Sequence, residues 1–188
     1  MKKPIHIILA ILSCGSLLLL TLPGCGGQAP ESSGGAANGN ASAAPEFVLA
    51  SPPAGPVGVV ESLSAAESGG TITVTGRVGG MASPITAGYA AFVLADEGLV
   101  FCDEIEGDSC PQPWDACCED PEKIKASRVL VQFVDEAGMP LPVDLREITD
   151  LKENRRVTVK GRFAGHSTPG NPVIFAEGFH IAEEETPG

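Results

Sequence analysis

Two segments of the chain alternate apolar and polar residues, and they resemble each other. Residues 72–80 read I-T-V-T-G-R-V-G-G, and residues 157–165 read V-T-V-K-G-R-F-A-G. Alternation with a period of two is typical of a strand that buries one of its faces. Each copy carries a glycine in its middle, Gly76 and Gly161, which indicates a bulge or a sharp bend in a closed sheet.

The same pattern predicts three further strands and one helix. Apolar, β-branched and aromatic residues are concentrated in residues 88–96, 127–135 and 172–182. Asp144 and Glu147 have the spacing of a capping box, which predicts that a helix begins here. Apolar residues then recur at helical spacing, at Leu145, Ile148 and Leu151, and form one stripe that can close the end of a barrel.

The predicted order of elements is strand, strand, strand, helix, strand, strand. This order and the repeated V-x-G-R pattern resemble the OB-fold, a small all-β, five-stranded Greek-key barrel with one short helix between strands three and four. The resemblance implies that the first and fourth strands, which are the two matching segments, are neighbours. The alternative is an immunoglobulin-like sandwich, which needs about seven strands.

The N-terminus has the layout of a secretory signal. Lys2 and Lys3 precede an apolar run over residues 5–22, and Pro23-Gly24 ends that run. A membrane-spanning helix is the weaker interpretation, because the run is at the short end of what crosses a bilayer. We therefore predict a cleaved signal peptide over residues 1–24.

The sequence L-P-G-C that ends at Cys25 resembles the lipobox of bacterial lipoproteins, in which the peptidase cuts before a lipidated cysteine. The resemblance implies that acyl chains on Cys25 bind membrane lipid. Residues 25–56 are rich in Gly, Ala, Ser and Pro, which predicts a disordered linker. The barrel domain is then expected over residues 57–183, and residues 184–188 form an acidic tail.

Charge limits the partners of this domain. The chain has 24 acidic and 12 basic residues and a formal net charge of −12. An acidic domain repels the phosphate backbone, which argues against nucleic acid as a partner. We expect an exported protein anchored to a cell-envelope membrane, with its domain in the periplasm or at the cell surface and another envelope protein as a candidate partner.

A long cysteine-rich connection, residues 97–126, separates the second and third predicted strands. It contains Cys102, Cys110, Cys117 and Cys118. In an oxidising compartment an even set of cysteines favours two disulfides, here between the adjacent pair and the other two. The alternative is a zinc or copper site, although C-x7-C-x6-C-C is not a standard zinc spacing. Three acids are its candidate additional ligands, Asp103, Asp115 and Glu119.

The segment C-P-x-P-W-D-x-C-C-E, residues 110–119, is similar to one in uncharacterised exported bacterial lipoproteins with an OB-fold-like domain. The resemblance implies an address and an architecture, and it assigns no activity. We expect Trp114 to pack on the disulfides in a miniature core, or else to be exposed as an anchor for a partner.

The mature chain contains no recognisable catalytic motif. Its two histidines are His166, in a turn-rich connection, and His180, on the last predicted strand. Neither G-x-S-x-G nor H-E-x-x-H occurs in the sequence. We therefore predict a binding or scaffolding module that is not an enzyme and needs no cofactor, with metal or cofactor handling by the cysteine-rich connection as the alternative.

Overall fold

The computed structural model describes residues 45–64 and 70–183. The predicted signal peptide, Cys25, most of the predicted linker and the acidic tail lie outside the described residues. Within them, no helix has the length and apolar character needed to cross a membrane. The elements, besides a 3₁₀ turn at Cys102–Glu104, are β1 Val57–Gly58, α1 Val59–Leu63, β2 Thr71–Val78, β3 Ala91–Ala95, α2 Pro121–Ala126, β4 Arg128–Gln132, α3 Leu145–Ile148, β5 Arg156–Phe163 and β6 Val173–Ile181.

Five of the strands close into one barrel. β3 pairs antiparallel with β2 and β4, β4 pairs parallel with β6, and β5 pairs antiparallel with β6 and β2. The closing pair, β2 with β5, joins the two matching sequence segments from Thr71 opposite Arg162 to Arg77 opposite Arg156. The prediction of a small OB-like barrel with a helix between its third and fourth strands is confirmed. The described residues form this barrel instead of the alternative sandwich.

The alternating pattern directs every second side chain of the strands into the barrel. Val74 on β2 and Val159 on β5 are buried, and they face each other across the closing strand pair. Phe92 on β3 and Phe179 on β6 are fully buried, with their ring centroids 5.8 Å apart. Burial of one such side chain contributes roughly 1.5–3 kcal/mol. The buried barrel interior therefore stabilises the fold.

The two mid-strand glycines lie close to the backbone of a neighbouring strand. A Cβ atom on Gly76 would lie 2.3 Å from the carbonyl oxygen of Ala95, and one on Gly161 would lie 2.5 Å from that of Phe175. Only glycine fits at such distances. The predicted irregularity is present at Gly161, where the register between β5 and β6 shifts.

The helix α3 is shorter than the sequence predicted. The Asp144 carboxylate accepts the backbone N–H of Arg146 at 3.0 Å, as expected of an N-cap. The helix ends after one turn, because Thr149 takes an extended conformation. Its hydroxyl donates to the Leu145 carbonyl and accepts the N–H of Leu151. Leu145 and Leu151 are nevertheless both buried, so the predicted apolar stripe still covers the barrel.

The ordered domain begins before the predicted boundary at residue 57. The ring of Phe47 packs on the rings of Phe133 and Phe179, at centroid distances of 4.5 and 6.2 Å. The backbone N–H of Leu49 donates a hydrogen bond to the carbonyl of Phe179. The backbone N–H of Phe179 in turn donates to the carbonyl of Phe47. The prediction of a disordered linker is therefore corrected from residue 45 onward, because Phe47 gives this segment a large apolar group to bury.

Candidate functional site

The cysteine-rich connection, which we call the cysteine loop (residues 97–126), packs on the barrel around an apolar core of its own. This second core consists of Ala95, Leu99, Phe101 and Ala116, with Trp114 and Ile124 packed against it. Trp114 also donates its indole N–H to the carbonyl of Ala82 at 3.1 Å. Trp114 thus lies in a miniature core, one of its two expected roles, and that core is apolar rather than built on disulfides.

Arg77 on β2 ties the start of the cysteine loop to the barrel. Its guanidinium pairs with Glu104 at 2.8 Å, donates to the carbonyl of Leu99 at 3.1 Å and lies 3.9 Å from the centroid of Phe101. Partial burial opposes the ionisation of Glu104 and would raise its pKa. Hydrogen bonds from Arg77 and from the Phe101 N–H, together with the charge of Arg77, have the larger effect and hold the pKa of Glu104 below its usual range. Arg77 was not predicted to contact the cysteine loop, because it lies on β2, far from the loop in the sequence.

The four cysteines of the loop form a cluster of sulfur atoms, which we call the cysteine cluster. The Sγ atom of Cys117 lies 3.4 Å from that of Cys102, 3.9 Å from that of Cys110 and 4.0 Å from that of Cys118. A disulfide requires about 2.05 Å, so the predicted disulfides are not formed and all four cysteines are free. Burial and the neighbouring thiols of Cys117 and Cys110 raise the pKa of Cys102 to about 12.

The three acids predicted as additional ligands have other partners. Asp103 accepts a hydrogen bond from the amide of Asn154 at 2.8 Å, and Asp115 accepts the backbone N–H of the residue that follows it at 2.7 Å. Glu119 pairs with Lys123 at 2.6 Å, and this contact holds the pKa of Glu119 below its usual range. The structure does not group any of the three with the sulfurs.

Asp108 is the acid that the structure places next to the cysteines. Two overlapping groups of ligand atoms each lie within 4.8 Å of one another. The first consists of an Asp108 carboxylate oxygen and the sulfurs of Cys102 and Cys110. The second consists of the sulfurs of Cys102, Cys117 and Cys118. Cys102 is buried, whereas Cys117 and Cys118 are exposed. The cluster therefore extends from the protein interior to the solvent. The sequence signal for Asp108 was its position two residues before Cys110.

A groove of about 220 Å³ opens on the barrel between β3, β4 and the connection from β5 to β6. We call it the barrel groove, and its lining residues are Met81, Val93, Lys125, Arg128, Val129, Leu130, Gly170, Asn171 and Pro172. The guanidinium of Arg128 is held by a hydrogen bond of 2.9 Å to the carbonyl of Gly80. No carboxylate lines the groove. Its two cations, Lys125 and Arg128, are three residues apart in the sequence, but the groove itself is not visible there because residues 170–172 close it from a distant part of the chain.

A larger depression of about 690 Å³ lies between residues 48–50, α3 and the end of β6. His180 lines it, and so does Glu147, the predicted second half of the capping box. The depression mixes two arginines with three acids, Arg146 and Arg155 with Glu147, Asp150 and Glu183. Because both signs of charge line it, this larger space defines no preference for the charge of a ligand.

Two sites thus stand out in the described part of the chain, the barrel groove and the cysteine cluster. No family model matches the chain, and neither a curated protein nor a solved structure matches it. Each site is therefore interpreted from its own chemistry.

Proposed function

We propose that this protein is an exported, lipid-anchored binding module of the cell envelope, and that its barrel groove holds a small anionic ligand. The charge of the groove carries this proposal. Lys125 and Arg128 line it and no carboxylate does, in a chain with a net charge of −12. Two cations without an acidic partner in the lining create a local positive potential, which attracts an anion to this part of an otherwise acidic protein.

The volume of the groove limits the size of the ligand. About 220 Å³ is less than the 300–1,000 Å³ of typical sites for drug-sized molecules. A single ring that carries a carboxylate or a phosphate fits this space. The apolar side chains of Val93, Val129 and Leu130 offer it a hydrophobic contact, and the Asn171 amide offers it a hydrogen bond.

Binding, and not catalysis, is the role that the groove supports. No histidine, carboxylate, serine or cysteine lines it, so the lining offers no nucleophile paired with a base. By analogy of fold alone, the same face of OB barrels is a platform for ligands. The lipid anchor rests on the N-terminal sequence, in which Cys25 follows an apolar run that begins after Lys3.

The proposal is tested by titrating the protein with glucuronate and, separately, with inorganic phosphate while backbone amide NMR shifts are recorded. Amides around the groove should shift, and Lys125→Gln should weaken binding about tenfold, because one charge-assisted hydrogen bond contributes roughly 1.5–3 kcal/mol. The matched control is Lys152→Gln, an exposed lysine that does not line the groove. The proposal fails if neither anion shifts the groove amides, or if the two variants bind alike.

A further inference from the structure

The cysteine loop is held in place by contacts that do not involve its sulfur atoms. Phe101 and Leu99 are fully buried in the second core, and Arg77 fixes the 3₁₀ turn beside them. Backbone hydrogen bonds close the loop as well, from the N–H of Cys102 to the carbonyl of Asp115 at 2.8 Å and from Gly80 to Trp114 at 2.9 Å. The sulfurs are therefore available for a role other than holding the loop together.

The three distances from the Cys117 sulfur to the other sulfurs, which are three of the six edges of a four-sulfur tetrahedron, match a metal site better than a disulfide. Four thiolates at the usual Zn–S distance of about 2.3 Å form a tetrahedron with S···S edges of about 3.8 Å. The three contacts of the Cys117 sulfur measure 3.4, 3.9 and 4.0 Å. Each lies within about 0.4 Å of that tetrahedral edge, whereas each is longer than the disulfide bond length by at least about 1.3 Å.

The charge of the surroundings favours a cation. Between residues 96 and 122 the chain has ten acidic residues and no basic residue. Four ionised thiolates in this segment would repel one another and the carboxylates unless a cation compensates them. A negative field of this kind also raises the local concentration of cations around the site.

We propose that Cys102, Cys110, Cys117 and Cys118 together bind one thiophilic divalent ion of the zinc class. Each thiol that coordinates the ion releases its proton. The adjacent pair fits this role, because the sulfurs of Cys117 and Cys118 are 4.0 Å apart, close to the tetrahedral edge. Asp108, beside Cys102 and Cys110, adds a negative charge next to the ion. The site goes beyond anion binding in the barrel groove and does not depend on it.

The test uses the mature protein, extracted in detergent, reduced and kept anaerobic. It is titrated with Co²⁺ as a spectroscopic probe and then with Zn²⁺ as a competitor. We expect one ion per chain, with the visible absorption of tetrahedral thiolate-bound Co²⁺ and its loss when Zn²⁺ is added. Cys117→Ser should weaken Zn²⁺ binding by more than about 100-fold, because even partners outside the ligand shell change affinity by 10–100-fold.

The matched control is Ser109→Ala, an exposed residue of the same loop, which should bind Zn²⁺ as the wild type does. Cys117 is exposed, so Cys117→Ser should also keep the unfolding midpoint of the metal-free protein. Reduced protein that binds neither ion overturns the proposal. Binding that survives Cys117→Ser but is lost in Asp108→Asn would place the ion on the acids and also overturn it.

Protein isolated from the envelope fraction without reductant completes the test. One ion of the zinc class per chain, together with four thiols in the loop that react after chelation and denaturation, supports the proposal. Two disulfides and no bound metal overturn it, and that result leaves anion binding in the barrel groove unaffected. If the protein binds the metal ion but neither anion binds in the barrel groove, the proposed function is refuted and the metal-site proposal is not.

Discussion

Replacement of Phe47 by alanine tests whether the segment before β1 belongs to the fold. The ring of Phe47 is half-buried and packs on the rings of Phe133 and Phe179. Truncation of a fully buried phenylalanine typically costs 3–5 kcal/mol. Because Phe47 is half-buried, we expect a loss of about 2–3 kcal/mol, which includes its aromatic contacts. For a domain of this size the melting temperature should fall by about 10 °C.

The assay is equilibrium unfolding in guanidinium chloride, followed by circular dichroism and repeated by calorimetry. Glu46→Ala is the matched control, because Glu46 is the exposed neighbour of Phe47 and should change stability by less than about 0.5 kcal/mol. A chain that begins at Pro45 should be as stable as the mature protein, whereas one that begins at Val57 should lose at least as much stability as Phe47→Ala. If Phe47→Ala and Glu46→Ala unfold at the same denaturant concentration, the segment is a linker and the reasoning is refuted.

Three further predictions concern the barrel, the cysteine loop and the anchor. Gly76→Ala should lower the free energy of unfolding by about 3 kcal/mol in a thermal unfolding experiment, because its Cβ would lie 2.3 Å from a carbonyl oxygen of β3. Gly165→Ala, the control, has open space around it and should be nearly neutral. Equal effects of the two variants would contradict the close strand contact. Arg77 lowers the pKa of Glu104 in the folded state. The wild type should therefore lose unfolding free energy relative to Glu104→Gln as the pH falls below the usual glutamate pKa of 4.5 towards the lower pKa of the folded state, and parallel pH profiles would exclude this ion pair. Cys25→Ser should release the protein from the membrane fraction and abolish acyl labelling, and a variant that stays membrane-bound would indicate a retained helix.

The strand order of the barrel was predictable because its signals are local. Alternation of apolar and polar residues with a period of two identifies β2 and β5. Their mid-strand glycines, Gly76 and Gly161, indicate the close approach of a neighbouring strand. The two similar segments pair antiparallel along their whole length, from Thr71 opposite Arg162 to Arg77 opposite Arg156. Local sequence patterns are therefore sufficient to identify strands such as β2 and β5.

Features that depend on distant partners were missed. Phe47 is one aromatic residue in a segment of small residues, and its burial depends on Phe133 and Phe179, far along the chain. Arg77 has the pattern of an outward-facing strand residue, but the fold places the cysteine loop over it. Lys125 and Arg128 are close in the sequence, but the groove that they line forms only where the connection from β5 to β6 reaches them. Single residues whose role is set by such contacts leave no periodic signal in the sequence.

The apolar core of the cysteine loop was missed for a related reason. The disulfide interpretation assumed a loop without a core, for which covalent bonds were the natural source of order. Leu99, Phe101 and Ala116 are scattered among acids in the sequence, yet they are buried together in the second core. Once the loop has this core, disulfides are no longer needed to explain its order. What remains to be explained is why four sulfurs converge within a strongly acidic segment, and the proposed cation would account for both the contacts of the Cys117 sulfur and the charge of the segment.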